Sequence, residues 1–534
     1  MRWRFYVRCL AVLILILPGQ LAAQTASELV GAESDNGPRP IDYGPGPGVA
    51  QELAISAEMA AAAAEAAPPA APGANTKGAF GAAVSWPIIP LHGVVLPDSR
   101  ILSYGTDRNG QQGGFYYDVW TPRLGTGSGS HLTLPNGTGT DIFCSAQSVI
   151  VGSGNVLLTG GDETIGGVRN FSDDATTVFY PKDNALKPDQ TMAFKRWYPS
   201  LVPLANGQKV VLGGRSSKNT YVPTPELYTG TGWKLLPNAS SNAAFVTGAA
   251  WYYPQAYQAP NNAGKVFVLG HDGKMFYLTY AGTGSITQLA KTTLRARESL
   301  PTANFAQGKL LSLRNGSKAV VVDINGAQPV VTPTANIDQD RFWSNATVMA
   351  DGKVVVTGGS SVGNQLAGVA YTAQIWNPAT GTWTTGARAA KPRLYHSTAL
   401  LLPDGSVLTG GGGAPGPVKN LNAEIYYPPY LYAGTRPALS GTPAALALST
   451  TASFKATVGA GTVITRVTLL RAGSTTHVNN LEQNFQTLSF TQAGQTLTIK
   501  SPTNRNYTLP GYYLLFVFAQ NGAPSEAKMI KITG

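Results

Sequence analysis

The chain has 534 residues with a formal net charge of +11, 13% charged residues, 61 glycines and 37 prolines. Sparse charge with abundant glycine and proline excludes a helical bundle or long coiled coil and suits short strands joined by turns. There is no cluster of Lys and Arg interleaved with aromatics, so no nucleic-acid partner is expected.

The N-terminus carries Arg2, Arg4 and Arg8, then an apolar run from Cys9 to Leu17, then small residues at Ala22 and Ala23. This three-part pattern predicts a cleavable export signal over residues 1–23, since the run is too short to span a bilayer. Loss of the signal removes three arginines and leaves about +8. A soluble protein is expected, secreted or periplasmic, with no membrane contact beyond the signal. Residues 24–80 are rich in Ala, Pro and Gly, including AEMAAAAAEAAPPAAPGANTKG from Ala57. Nothing there can bury a core, so a disordered linker is expected.

After Trp86 a unit recurs: an apolar strand, a polar-Gly turn, a second apolar strand ending in glycine, then an aromatic strand. The second strands read SRILSYG, NVLLTGG, QKVVLGG, GKVFVLG, GKLLSLRNG, GKVVVTGG and GSVLTGGGG. Gly105, Gly160, Gly213 and Gly270 are 55, 53 and 57 residues apart. A period near ~50 with glycines after an apolar strand is the mark of kelch-type propeller blades. Seven such strands predict an all-β fold with a seven-bladed propeller over 81–432. The unit around Leu310 lacks the glycine pair and is the weakest. From 436 to 534, runs such as TVITRVTLLRAG and YYLLFVFAQ predict an immunoglobulin-like β-sandwich.

Two cysteines occur, Cys9 inside the signal and Cys144, so Cys144 has no internal disulfide partner after export. It is an inert buried thiol, a link to another chain, or a participant in unusual chemistry. Of the five histidines, His92, His131, His271, His396 and His477, two stand out. His396 follows Tyr395 at the first strand of the last blade, and His477 sits in a polar turn of the C-terminal domain. Two other motifs carry little: GGGGAPGP at Gly410 lacks the helix and GK[ST] of a phosphate loop. Asp162 and Glu163 are sequence neighbours and cannot flank a glycosidic bond from opposite sides.

YHSTALLLPDG with its glycine run and EIYYPPYL resembles the last blade of the galactose oxidase and glyoxal oxidase family of copper radical oxidases. TTHVNNLEQNFQTLSF and LPGYYLLFVFAQNGAPSEAKMIKI resemble that family's C-terminal domain. DIFCSAQ and KRWYPS resemble its two remaining site segments, and the four motifs arrive in the family's order over roughly residues 84–534. The resemblance implies one copper ion held by Tyr198, Tyr395, His396 and His477. It also implies a protein-derived cofactor, a thioether joining Cys144 to the ring of Tyr198, with Cys144, Tyr198 and Tyr395 catalytic. Imidazoles with phenolates suit Cu(II). Neighbours on a regular strand face opposite sides, so Tyr395 and His396 can share a metal only where the strand bends or ends.

Departures from the family concern the pocket. Ser216, beside Arg215, stands where galactose oxidase has a shielding tryptophan, and Tyr252 and Tyr253 occupy the place of its sugar-binding arginine. The triplet after the C-terminal histidine reads Glu482, Gln483, Asn484, and no galactose-binding module is expected ahead of the propeller. Trp197, Arg215, Ser216, Tyr252 and Gln483 are therefore the expected neighbours of the site or its substrate. The expected function is oxidation of a primary alcohol or aldehyde, small or carbohydrate, by a monomer that reduces O2 to H2O2. The alternatives are a glyoxal-type oxidase restricted to small aldehydes and a non-catalytic propeller that binds a glycan or protein.

Overall fold

A computed structural model describes residues 68–165, 168–217, 219–261 and 264–533. The export signal and most of the expected linker lie outside these residues. Seven antiparallel sheets follow one another along the chain, each starting with a short buried strand and ending with a more exposed one. Their first strands are His92–Val95, Ala146–Val149, Ser200–Pro203, Gln255–Gln258, Thr302–Ala306, Phe342–Val348 and Ser397–Leu401. These are blades 1 to 7 of a β-propeller, as the repeat predicts. The seven glycine-terminated sequences form the second strands, from Ile101–Thr106 in blade 1 to Val407–Gly411 in blade 7. The weak fifth unit completes a regular four-stranded blade, because Lys309–Arg314 pairs fully with Lys318–Asp323 without a glycine pair.

Ring closure corrects the linker reading. Blade 7 has only three strands from its own repeat, and its outer edge is completed by Ala79–Phe80 and Val84–Ser85 pairing with Asn422–Tyr427. Residues 68–80 are thus part of the propeller and not a free tether. Lys77 ends a single helical turn and its carbonyl accepts a hydrogen bond from the Tyr426 hydroxyl at 2.8 Å. Tyr432 donates to the Pro69 carbonyl at 3.0 Å, and Phe80 packs on Tyr426 with centroids 4.9 Å apart. Composition misses this because a two-residue edge strand needs backbone groups and one ring, not an apolar run.

The C-terminal region is a two-sheet sandwich. Leu439–Ser440, Ser453–Val458, Thr496–Lys500 and Phe490–Ala493 form one sheet. The other is built around Ile464–Arg471, Gly511–Ala519 and Lys528–Thr533. Ser453–Val458 alternates strictly between exposed and buried, so Phe454, Ala456 and Val458 face the core with Leu469, Leu515 and Ile532.

One hairpin leaves this sandwich. Ser474–Thr476 pairs along the inner edge of blade 1, with His92 opposite Thr476 and Val94 opposite Ser474. Asn479–Asn480 returns beside it, leaving His477 and Val478 as a two-residue turn with φ of 47° and 67°. Both values are left-handed, the requirement of a type I′ turn, so the histidine stands at the tip of a plug inside the propeller.

Deletion of residues 1–85 is expected to lower the melting temperature by ~10 °C or more relative to the full chain, because it strips the outer edge of blade 7. Thermal unfolding followed by circular dichroism checks it.

Candidate metal centre

Each inner strand is entered from one face of the ring, and the residue at the entry is repeatedly left-handed. Cys144, Tyr198, Tyr253, Trp343 and His396 have φ of 58°, 63°, 38°, 66° and 65°. Such values are uncommon for residues with a side chain and concentrate at functional sites. Here they kink the chain just as it enters the channel. The facing conflict between Tyr395 and His396 is resolved in this way: the strand begins only at Ser397, and the two rings stack with centroids 3.7 Å apart.

Glycines of the blades hold these kinks in place. In blade 7, Gly412 N–H donates to the His396 carbonyl at 3.1 Å and Gly413 N–H to the Tyr395 carbonyl at 2.9 Å. Gly413 has φ of 119°, and a Cβ there would lie 2.2 Å from the Val418 carbonyl oxygen. The first glycine of blade 2 works similarly, since a Cβ on Gly160 would lie 2.2 Å from the carbonyl oxygen of Arg196. That contact seats the RWYPS segment against the blade that carries Cys144. Tyr198 N–H donates to the Cys144 carbonyl at 3.1 Å, and Tyr253 N–H to the Tyr198 carbonyl at 2.9 Å.

Buried arginines fasten the same segments. Arg196 donates to the Gly213 carbonyl at 2.6 Å and to Glu226 at 2.9 Å. Arg393 donates to the Gly411 carbonyl and to Glu424, both at 3.0 Å. Arg341 pairs with Asp338 at 2.7 Å. The Cys144 turn has its own clamp: Asp141 accepts from Phe143 N–H at 3.1 Å and pairs with Arg169 at 2.6 Å. Arg169 also holds Asp162 at 2.7 Å, while Glu163 pairs with Lys195, so that acidic pair is structural.

The kinks bring the five sequence-predicted residues together, none more than 5% exposed. The hydroxyl oxygens of Tyr198 and Tyr395 lie 2.6 Å apart and share a hydrogen bond. The His477 ring is perpendicular to that of His396, with centroids 4.7 Å apart, and lies 5.0 Å from Tyr198. Cys144 Sγ is 3.6 Å from His477 Nε2. The donor atoms of Cys144, His396 and His477 all fall within 4.8 Å of one another.

The donor set fits copper. Burial drives the His396 pKa down to about 3 and that of His477 well below its ordinary value, so both imidazoles are neutral at neutral pH and could serve as metal ligands. His396 Nδ1 sits 2.8 Å from the Gly413 carbonyl, which keeps the proton on Nδ1 and leaves Nε2 as the atom that could bind a metal. His477 Nδ1 is likewise engaged, 2.6 Å from Thr476 Oγ1. Two imidazoles with two phenol oxygens and a nearby thiol match Cu(II) better than the oxygen-rich sites of Mg2+ or Ca2+.

The expected neighbours divide. Trp197 is fully buried and lies 3.9 Å from the Tyr198 ring, so the residue before Tyr198 shields it. Arg215 lies 4.0 Å over Trp197, and Tyr252 lies 4.6 Å from Tyr198. Ser216 is half-buried and donates locally to the Thr220 carbonyl. Gln483 exchanges two 2.9 Å hydrogen bonds with the backbone of Val348 and thereby anchors the hairpin that carries His477 to blade 6. Trp343 against Tyr395 at 4.3 Å, and Tyr253 stacked on His477 at 4.6 Å, complete the aromatic wall. Sequence reading missed Trp343, although RFWSN at 341–345 repeats the Arg-aromatic pattern of RWYPS and RLYHS.

Known proteins resemble the chain in its fold and in its C-terminal domain. Residues 436–532 match the family model described as galactose oxidase-like, Early set domain. Galactose oxidase of Gibberella zeae is 26% identical over 501 residues, covering 85% of this chain and 71% of that protein. Aldehyde oxidase GLOX1 of Arabidopsis thaliana is 24% identical over 468 residues, covering 74% and 72%. A fungal alcohol oxidase solved in complex with copper superposes with a TM-score of 0.73 at 23% identity, covering 86% of this chain and all of that one. The fold and cluster define a propeller–sandwich protein with a buried imidazole, phenol and thiol centre. This chain is similar to galactose oxidase and to a plant aldehyde oxidase.

Two predictions follow from burial. Arg393→Met is expected to cost roughly 3–5 kcal/mol by stranding Glu424, measured by urea unfolding. The second concerns pH. Burial lowers the pKa of His92 to about 3 and of His271 to about 4. Below pH ~6.5 the unfolded chain takes up protons that the folded chain refuses, so stability falls as pH falls through that window. His92→Gln should flatten the slope of copper-free unfolding free energy between pH 6.5 and 4 by ~1.4 kcal/mol per pH unit.

Proposed function

We propose that the protein is an exported copper radical oxidase that converts a primary alcohol to an aldehyde, or a hydrated aldehyde to an acid, while reducing O2 to H2O2. The observation that carries this reading is the convergence of Cys144, Tyr198, Tyr395, His396 and His477 from blades 2, 3 and 7 and the sandwich hairpin. Names of relatives support it: galactose oxidase, aldehyde oxidase and a copper alcohol oxidase. Export rests on the N-terminal pattern, and among the described residues no helix is long and apolar enough to cross a membrane.

In this reading His396, His477, Tyr198 and Tyr395 would hold one copper ion, which when bound would supply a site for the substrate oxygen and take up one of the two electrons. Tyr395 takes the hydroxyl proton of the substrate. The Tyr198 radical takes a hydrogen atom from the adjacent carbon, and the substrate leaves two electrons and two protons poorer. Dioxygen receives both pairs and leaves as peroxide. The 2.6 Å contact between the two phenols lets a proton pass from one oxygen to the other without reorganisation. A thioether from Cys144 to the Tyr198 ring, formed with loss of two hydrogens to O2, makes that ring easier to oxidise. The aromatic wall of Trp197, Tyr252, Tyr253 and Trp343 excludes water from the radical.

Peptide mass spectrometry after copper and oxygen treatment tests the chemistry. A Cys144 peptide joined to the Tyr198 peptide, two hydrogens lighter than their sum, is expected. Separate, unmodified peptides would sink the reading, and a freely alkylated Cys144 would favour a non-catalytic propeller. Tyr198→Phe and His477→Ala are each expected to lower peroxide release by ~10³-fold or more. An alcohol and aldehyde panel in the same assay separates the two substrate classes.

A further inference from the structure

We propose that Arg215 is a positioning residue for the radical: its charge against Trp197 confines the unpaired electron to Tyr198 and raises the potential at which the radical forms. This inference rests on the functional reading above. Trp197 carries two partners at once, the Tyr198 ring at 3.9 Å and the Arg215 guanidinium carbon at 4.0 Å. Arg215 is held rigidly. Its backbone exchanges hydrogen bonds of 2.8 and 2.9 Å with Trp197, its carbonyl accepts from Ser172, and its Nη2 donates to the Asn170 carbonyl at 2.8 Å. It is 3% exposed, so solvent screens its charge weakly.

The need for such a charge is set by the surroundings. Around Tyr198 the rings form a continuous path outward. Trp251 lies 6.1 Å from Tyr198, and half-buried Tyr221 stacks on Trp251 at 4.9 Å. The indoles are the next most oxidisable groups along this path, so the gap between them and the thioether-bearing Tyr198 ring sets how long the radical stays in place. Transfer of an electron from the Trp197 or Trp251 indole to the Tyr198 phenoxyl would regenerate the phenolate and leave an indole radical cation. A guanidinium 4.0 Å from Trp197 and 6.0 Å from Trp251 opposes that second positive charge at both first steps. The same charge favours the Tyr198 phenolate over the neutral radical, so forming the radical takes a stronger oxidant. Loss of the electron from Tyr198 is balanced by O2, which the proposed reaction reduces.

The test uses full-length, copper-loaded protein in mediated redox titration, with the radical followed by its visible absorption and its lifetime recorded without substrate. Arg215→Met is expected to raise the ratio of radical to reduced form about tenfold at fixed mediator potential, from one buried charge within ~10 Å at an effective dielectric near 20. Its radical should also decay at least severalfold faster, and adding Trp197→Phe should recover most of that lifetime. Arg215→Lys, which keeps the charge, should stay within about twofold of wild type in ratio. Where Arg215→Met fails to fold, Arg215→Gln carries the same expectation. Unchanged ratio and lifetime in the neutral variant, or a lysine variant that behaves as the neutral one, overturns this inference alone. A wild-type protein that forms no radical under the same oxidant overturns the functional reading itself.

Discussion

The centre depends on three residues of backbone pairing between two domains. Ser474, Thr475 and Thr476 lie antiparallel to Val94, Gly93 and His92, so the sandwich lends blade 1 an extra inner strand. A slip of one residue would move the turn by about 3.3 Å and reverse the facing of every side chain in the hairpin. Side chains around the plug forbid the slip. Gln147 donates to the Thr475 carbonyl at 2.9 Å, Ser474 donates to the Gln147 carbonyl, and Gln483 clasps Val348. Glu482, first of the triplet that departs from the family pattern, is paired with Arg471 and accepts from Ser148. These contacts fasten the hairpin that holds His477 at its tip.

The other donors come from a repeated device. Blades 2, 3, 4, 6 and 7 enter the channel through a kinked residue, and in blades 3, 6 and 7 an arginine two or three positions earlier ties the entry to its own blade. The same frame presents Tyr198, Trp343 and His396. A symmetric scaffold thus yields an asymmetric centre by changing one side chain per blade, with the backbone left nearly alone.

Much of this was legible in the sequence, for physical reasons that differ by feature. Glycines after apolar strands mark the blades because only glycine tolerates the carbonyl pressed against Gly160 or Gly413. Tyr395 and His396 were legible as a pair, and so was the need for a bend between them. What escaped depends on contacts distant in sequence. The Ala79–Phe80 edge strand meets Tyr426 and Tyr427 across the whole propeller. Trp197 was visible beside Tyr198, yet its stacking follows from a kink at φ 63° that no local pattern states. Gln483 was legible as a neighbour of the site, but its clasp on Val348 of blade 6 was not, since the partner lies 135 residues away.

Left-handed backbone at side-chain-bearing residues costs of order 1–3 kcal/mol each. Cys144, Tyr198, Tyr253, Trp343, His396, His477 and Val478 all carry it within one channel. A β-branched residue such as Val478 is among the least tolerant of that conformation. The strain persists because surrounding groups overdetermine it, through buried arginine–carboxylate pairs, glycine N–H donors and a hairpin seated on two blades. Rigidity of this kind has a chemical use. In the proposed reaction a hydrogen atom from carbon and a proton from oxygen leave one substrate at two fixed points, and the 2.6 Å spacing of the two phenol oxygens would set those points before substrate arrives. Neutral imidazoles held away from water add no reorganisation of their own. The free energy stored in seven unfavourable backbone conformations thus offsets the reorganisation that a relaxed site would require at each turnover.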